Sequence, residues 1–288
     1  MSTIAVIGLG AMGSRIAGRL LRRGHKVRIW NRGPRDFADL RGAGAQWCQS
    51  PAAAADGAEG VVLMVSDGAA LRAVSEGPEG VFAAGGTPLL IQMSTVSPAD
   101  LRAFAETAPD PARVMDAPVL GSVAEAENGS LQVLVGSASE LFGVWEPFLR
   151  DLGTPTHLGP YGSGTAAKLV ANSSLFGVLC VLGESMRLAE GLGLDTDATY
   201  RLLALTPLAA QAERRRPALE AGDFPARFVL ELALKDCGLA AAAAAAAGLD
   251  VRLLPATRTW LEDAGRDGWA GRDYTAVLAR IKGDEPPA

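Results

Sequence analysis

Along the first half of the chain, short runs rich in aliphatic and β-branched residues alternate with stretches of helical character. The runs cover residues 4–7, 26–30, 61–65, 89–92 and 113–116, and helices are expected over 11–23 and 34–41. Strands buried on both faces carry apolar residues with little alternation, and helical spacers between them imply right-handed β-α-β crossovers. The pattern predicts an α/β fold built on a doubly wound parallel sheet. Asn128-Gly129 ahead of residues 131–135 is a hairpin-type turn signal, so an antiparallel strand is expected near the sheet edge.

Beyond His157 the pattern changes. Gly159, Gly162 and Gly164 punctuate the chain, and no proline interrupts residues 165–191, a helix of roughly 40 Å at 1.5 Å per residue. Further helices are expected over 196–205, 208–221, 231–247 and 257–264. The alanine run 240–247 has the highest intrinsic helix propensity and suits close helix packing. The expected organisation is an α/β domain over 1–160 and an all-α domain over 161–288, joined by the long helix.

Composition narrows the function. The 288 residues suit about two domains, and 49% hydrophobic with 20% charged residues excludes disorder. A net charge of −5 argues against nucleic acid or an anionic membrane as partner. The uncharged stretches 169–183 and 239–249 are shorter than the ~20 residues that cross a bilayer and read as buried helices of a soluble protein. The apolar start at residues 4–7 runs into glycines and is no secretory signal. Cys48, Cys180 and Cys237 are widely spaced, which fits neither a disulfide framework nor a metal site and suits the cytoplasm. His25 lies in a helix-to-strand turn and is expected to be exposed; a surface or structural place is expected for His157.

Gly8-Leu9-Gly10-Ala11-Met12-Gly13 follows an expected strand and opens an expected helix. In that setting Gly8 makes the tight turn, Gly10 lets the backbone approach a pyrophosphate, and Gly13 lets helix and strand pack closely. The helix start adds N–H groups and the positive end of the dipole. An NAD site usually places a carboxylate at the end of the second strand, about 20 residues on. Here that end reads Trp30-Asn31-Arg32-Gly33-Pro34-Arg35, whose guanidiniums suit a 2′-phosphate, so NADP(H) is preferred over NAD(H).

No HExxH or GxSxG occurs. Lys168, in the first turns of an otherwise apolar helix, is the candidate proton donor, because desolvation moves a lysine toward a range useful for proton transfer. Asn172 follows one turn later on the same face. The competing account is a helix-end lysine that snorkels to water.

Five ordered motifs carry a resemblance to the β-hydroxyacid dehydrogenases, which include 3-hydroxyisobutyrate dehydrogenase and the glyoxylate/succinic semialdehyde reductases. They are the glycine turn with Asn31-Arg32; Met93-Ser94-Thr95-Val96-Ser97-Pro98; Asp116-Ala117-Pro118-Val119-Leu120-Gly121-Ser122; the segment 162–172; and Leu234-Lys235-Asp236-Cys237-Gly238-Leu239-Ala240. The resemblance implies a Rossmann domain followed by a helical domain, with the active site between them and assembly into homodimers or homotetramers. By motif position Lys168 resembles the general acid/base and Asn172 its orienting partner. Thr95, with Val65 and Ser66 on the neighbouring loop, resembles the residues near nicotinamide and substrate. Gly121 and Ser122 resemble donors to a substrate carboxylate, Lys235 a cofactor contact, and Phe228 and Asp236 the pocket lining. The implied reaction is hydride transfer between NADP(H) and a small β-hydroxyacid or semialdehyde. One position departs: Leu120 stands where the family commonly has serine, which points to a bulkier or less polar substrate. Two alternatives stay open, an imine reductase, a group that usually lacks the lysine, and a non-catalytic NADP(H)-binding sensor.

Overall fold

The structure, a computed structural model, describes residues 1–33 and 36–286. The chain divides into two compact units, Met1–Lys168 and Leu169–Ala288.

The first unit is a nine-stranded sheet of β1 (Thr3–Ile7), β2 (Lys26–Trp30), β3 (Gln46–Trp47), β4 (Gly60–Leu63), β5 (Leu89–Gln92), β6 (Val114–Asp116), β7 (Val119–Leu120), β8 (Leu131–Gly136) and β9 (Gly153–Gly159). The order is β3-β2-β1-β4-β5-β6-β8-β7, with β9 also on β8. The six strands from β3 to β6 are parallel. Ile4, Ala5, Val6 and Ile7 are all fully buried, because helices cover both faces of the sheet: Ile4 and Val6 join one apolar cluster, Ala5 and Ile7 the other. The order reverses between β1 and β4, and at such a switch the carboxyl ends of the strands leave a crevice for a ligand.

The expected antiparallel addition is present, since β8 runs against β6 and β7. Its approach differs from expectation. Asn128 ends a helix, Val123–Asn128, and Gly129 closes it in the left-handed region at φ +74°, so Asn128-Gly129 is a helix stop and not a hairpin turn. The expected helix over 34–41 is described as Ala38–Gly42; Pro34 and Arg35 lie outside the described residues.

The helix Ser163–Gly191 begins in the first unit and continues into the second, where Thr196–Leu203, Ala209–Ala221, Leu230–Ala246, Leu253–Ala264 and Val277–Lys282 follow. Phe176, Leu179, Leu230, Leu261, Trp269 and Leu278 form the centre of the second core. A Cβ at Gly183 would lie 2.9 Å from the Ile281 side chain, so the glycine permits the close approach of two helices.

Two apolar stretches are less buried than expected. The Ser163–Gly191 helix contains a window of mean hydropathy 1.6, long and apolar enough by length and composition to cross a membrane, yet also typical of core helices; 39% of that window is buried. Leu169, Leu179 and Leu182 are buried, whereas Val170, Val178 and Val181 are exposed. In the alanine run only Ala240 is buried and Leu249 is exposed, so helix propensity rather than tight packing accounts for the run.

Candidate active site

Gly8 has φ +95°, and a Cβ there would meet the Met64 carbonyl oxygen at 2.3 Å. A Cβ on Gly13 would sit 1.9 Å from the Gly8 carbonyl oxygen, so the helix Ala11–Arg22 packs against the turn only because Gly13 is a glycine. Gly10 is different: a Cβ there would meet nothing within 4 Å. No side chain caps this helix and no acidic residue lies in its first turn. Uncapped N–H groups beside open space, with Leu9, Ala11 and Met12 supplying the backbone, fit the pyrophosphate of a dinucleotide.

Asn31, at the end of β2, ties this turn to the next loop. Its Oδ1 accepts from the Leu9 N–H at 2.9 Å and its Nδ2 donates to the Gly33 carbonyl at 2.9 Å. Arg32 is exposed and makes no ion pair among the described residues; the second expected guanidinium, Arg35, lies outside them. At the ends of β4 and β5, the Val65 N–H donates to Ser94 Oγ at 2.8 Å, which joins the loop bearing Val65 and Ser66 to the one bearing Thr95. Gly8, Asn31, Val65, Ser66 and Thr95 thus all stand at the carboxyl edge of the parallel sheet.

Further along that edge, Asp116 ends β6 and is fully buried. Its two carboxylate oxygens accept from the N–H groups of Gly162 at 2.7 Å and Thr165 at 2.6 Å, at the start of the long helix. Burial pushes its carboxyl above the ordinary value, and these amide donors pull it back only in part. Lys168 is half-buried, and its Nζ donates to the Val119 carbonyl at 2.8 Å. The snorkelling account therefore misses a fixed contact of this ammonium. After Gly121, whose φ is +127°, the Ser122 N–H donates to Glu125 Oε2 at 2.8 Å in a capping box. The Ser122 amide, expected to face a substrate carboxylate, is thus engaged within the chain, and its side-chain oxygen accepts from the Glu125 N–H in the same box.

In the second unit, Asn172 and Asp236 are both 2% exposed, and Asn172 Nδ2 donates to Asp236 Oδ2 at 2.8 Å. The neighbouring Lys235 Nζ lies 2.9 Å from Asp236 Oδ1. Phe228 is half-buried against Phe176 and Tyr274, and Asp273 Oδ2 accepts its N–H at 3.0 Å. Lys168 and Asn172 stand one turn apart on one continuous helix.

The histidines lie elsewhere. His25 is buried, contrary to expectation: its Nε2 is 2.9 Å from Asp151 Oδ2, and its ring meets Phe148 edge-on. His157 has the structural place expected, with Nε2 2.9 Å from the Ser137 carbonyl. Among the described residues no cluster of His, Cys, Asp and Glu forms a metal site. Sequence reasoning missed the role of Asp116, whose signal is a lone carboxylate ending a buried strand. It also missed Glu125, whose signal is the Ser-x-x-Glu spacing of a capping box.

Residues 3–162 match the family described as the NAD-binding domain of 6-phosphogluconate dehydrogenase, and residues 162–281 match the NAD-binding family of NADP-dependent 3-hydroxyisobutyrate dehydrogenase. The chain is 37% identical to 3-hydroxyisobutyrate dehydrogenase of Pseudomonas aeruginosa over 200 residues, 68% of this chain and 66% of that one. It is 30% identical to 3-sulfolactaldehyde reductase of Escherichia coli over 98% of this chain and 96% of that one. The solved structure of Mycobacterium tuberculosis 3-hydroxyisobutyrate dehydrogenase with L-serine superimposes with a TM-score of 0.88 at 27% identity, covering 98% of this chain and 100% of the other. With its glycine cradle, switch-point sheet and helical second unit, the chain belongs to the β-hydroxyacid dehydrogenase family.

Proposed function

We propose that this protein is an NADP(H)-dependent oxidoreductase that interconverts a small β-hydroxyacid, or a related alcohol, with its semialdehyde or ketone. The observation that carries the reading is Lys168, half-buried and held by the Val119 carbonyl at the start of a buried-capped helix. Residues 8–13 would hold the pyrophosphate, Asn31 and Arg32 the ribose phosphate, and Val65, Ser66, Thr95 and Lys235 the remaining contacts of the dinucleotide. The nicotinamide, when bound, supplies or accepts the hydride. Lys168, cationic in the reductive direction, donates a proton to the substrate carbonyl oxygen; neutral, it removes that proton during oxidation. Gly121 and Ser122 take the substrate-anion roles, and Phe228 and Asp236 the pocket-lining roles, that their motif positions imply. Leu120 supplies apolar surface, which favours a substrate bulkier than the smallest hydroxyacids.

The test is a panel of small carbonyl acids, glyoxylate and semialdehydes included, assayed in parallel with NADPH and NADH and beside cyclic imines. Turnover of a carbonyl acid with NADPH above NADH supports the reading. Turnover of imines alone replaces it with imine reduction, a chemistry Lys168 counts against. Tight NADPH binding without turnover across the panel replaces it with a sensor module.

Assembly is proposed through the second unit. Val170, Val178, Val181 and Leu188 leave apolar surface along the Ser163–Gly191 helix, suited to a second copy of the chain. Light scattering at micromolar concentration should report a dimer or tetramer; a monomer contradicts this assignment.

A further inference from the structure

The first N–H groups of a helix have no partner within it, and a side chain just before the helix usually supplies one. At the Ser163–Gly191 helix the acceptor comes from far away. Asp116 reaches the N–H of Gly162 and of Thr165 across sequence separations of 46 and 49 residues, one oxygen to each. This is the double duty of a capping box performed by one remote, fully buried carboxylate, at the helix end that favours negative charge.

Backbone walls hold that carboxylate in place. A Cβ on Gly136 would lie 2.3 Å from Asp116 Oδ1, and one on Gly164 would lie 2.2 Å from the Leu134 carbonyl and 3.0 Å from Asp116 Oδ2. A longer acid has no room there. The same short segment makes a second contact with the helix. Three residues beyond Asp116, the Val119 carbonyl accepts from Lys168 Nζ, and Lys168 is itself three residues beyond Thr165. Segment 116–119 therefore grips the first turns of the helix twice, once at the backbone and once at the ammonium.

We infer that Asp116 is the positioning residue for Lys168: it seats the helix start from which the lysine projects and so sets where the ammonium stands. The inference rests on the reading of Lys168 as proton donor. Misplacing a catalytic group by about 1 Å can lower a rate about 100-fold. Asp116→Asn keeps one acceptor oxygen and turns an NH2 group against the second N–H, which loosens this seat without changing side-chain size.

The experiment is a double-mutant cycle. Asp116→Asn is made in the wild-type and in the Lys168→Ala background, with kcat, KM for the carbonyl acid, NADPH Kd and thermal unfolding measured for all four proteins, and single turnovers for the slow ones. In the wild-type background kcat should fall roughly 10- to 100-fold with NADPH Kd within about twofold. In the Lys168→Ala background the same substitution should change the residual rate by less than about threefold, because the group it positions is gone. An equal loss in both backgrounds overturns the inference and makes Asp116 structural only, as does a wild-type kcat in Asp116→Asn. If Asp116→Asn fails to fold, Gly136→Ala, whose methyl crowds the same carboxylate together with the Ser163 and Gly164 amides of the helix start, is taken through the same cycle with the same two readings. A near wild-type rate in Lys168→Ala alone refutes the proton-donor reading itself, an outcome separate from either result of the cycle.

Discussion

Asn172 Nδ2 and Asp236 Oδ2 lie 2.8 Å apart, both on residues almost wholly shielded from water. A buried carboxylate that loses a donor retains its desolvation penalty without the compensating bond. Asn172→Ala should therefore destabilise the protein by roughly 1–3 kcal/mol, read by urea unfolding, and should lower kcat as well. An unchanged unfolding midpoint would mean that the pair contributes nothing to the helical core.

The glycines of the cradle should separate by the space each one guards. Gly13→Ala puts a methyl against the Gly8 carbonyl, so it should lower both the melting temperature and NADPH affinity. Gly10→Ala meets no protein atom, and the Gly10 φ of −68° suits any residue. It should melt like the wild type yet bind NADPH at least about tenfold more weakly, because its methyl stands where the pyrophosphate approaches. Calorimetric titration beside thermal melts checks both; tight NADPH binding by Gly10→Ala would move the phosphate site elsewhere.

Arg32 should discriminate between the two dinucleotides. Arg32→Ala should weaken NADPH roughly tenfold, at the lower end for a charged hydrogen bond because the side chain is exposed, and leave NADH unchanged. Equal losses for both would remove Arg32 from 2′-phosphate recognition.

Acid should act through Asp151. Burial pushes its carboxyl up, but hydrogen bonds from His25 and Arg23 outweigh that and hold it below the ordinary 3.8. The unfolded chain thus takes up this proton first as pH falls. The stabilisation is complete above the unfolded value and is lost as pH drops through the folded one. Asp151→Asn should flatten the fall in unfolding free energy below about pH 5, with the gap to the wild type closing in strong acid. A parallel acid limb in the two proteins would contradict the coupling.

The parts legible in the sequence were those set by neighbours along the chain. Residues 4–7 declare a buried strand, and the glycine spacing after them declares the cradle. The lysine and asparagine one turn apart mark a helix face, although nothing local showed that Asn172 would be bonded to Asp236, 64 residues on. What was missed depends on distant partners. β9 spans Gly-Thr-Pro-Thr-His-Leu-Gly, which has little strand propensity of its own and is held by pairing with β8. His25 looks like a turn residue until Asp151, 126 residues later, closes over it. Asp116 reads as the end of a strand, and its service to a helix start 46 residues away exists only in three dimensions.

Rapid mixing of Lys168→Ala with NADPH and the best carbonyl acid of the panel reads the central claim directly. The rate of NADPH oxidation should fall by about 10²- to 10⁴-fold, the usual share of general acid–base catalysis, while NADPH Kd stays at the wild-type value. Oxidation at close to the wild-type rate would contradict the account and take the proton from some other group.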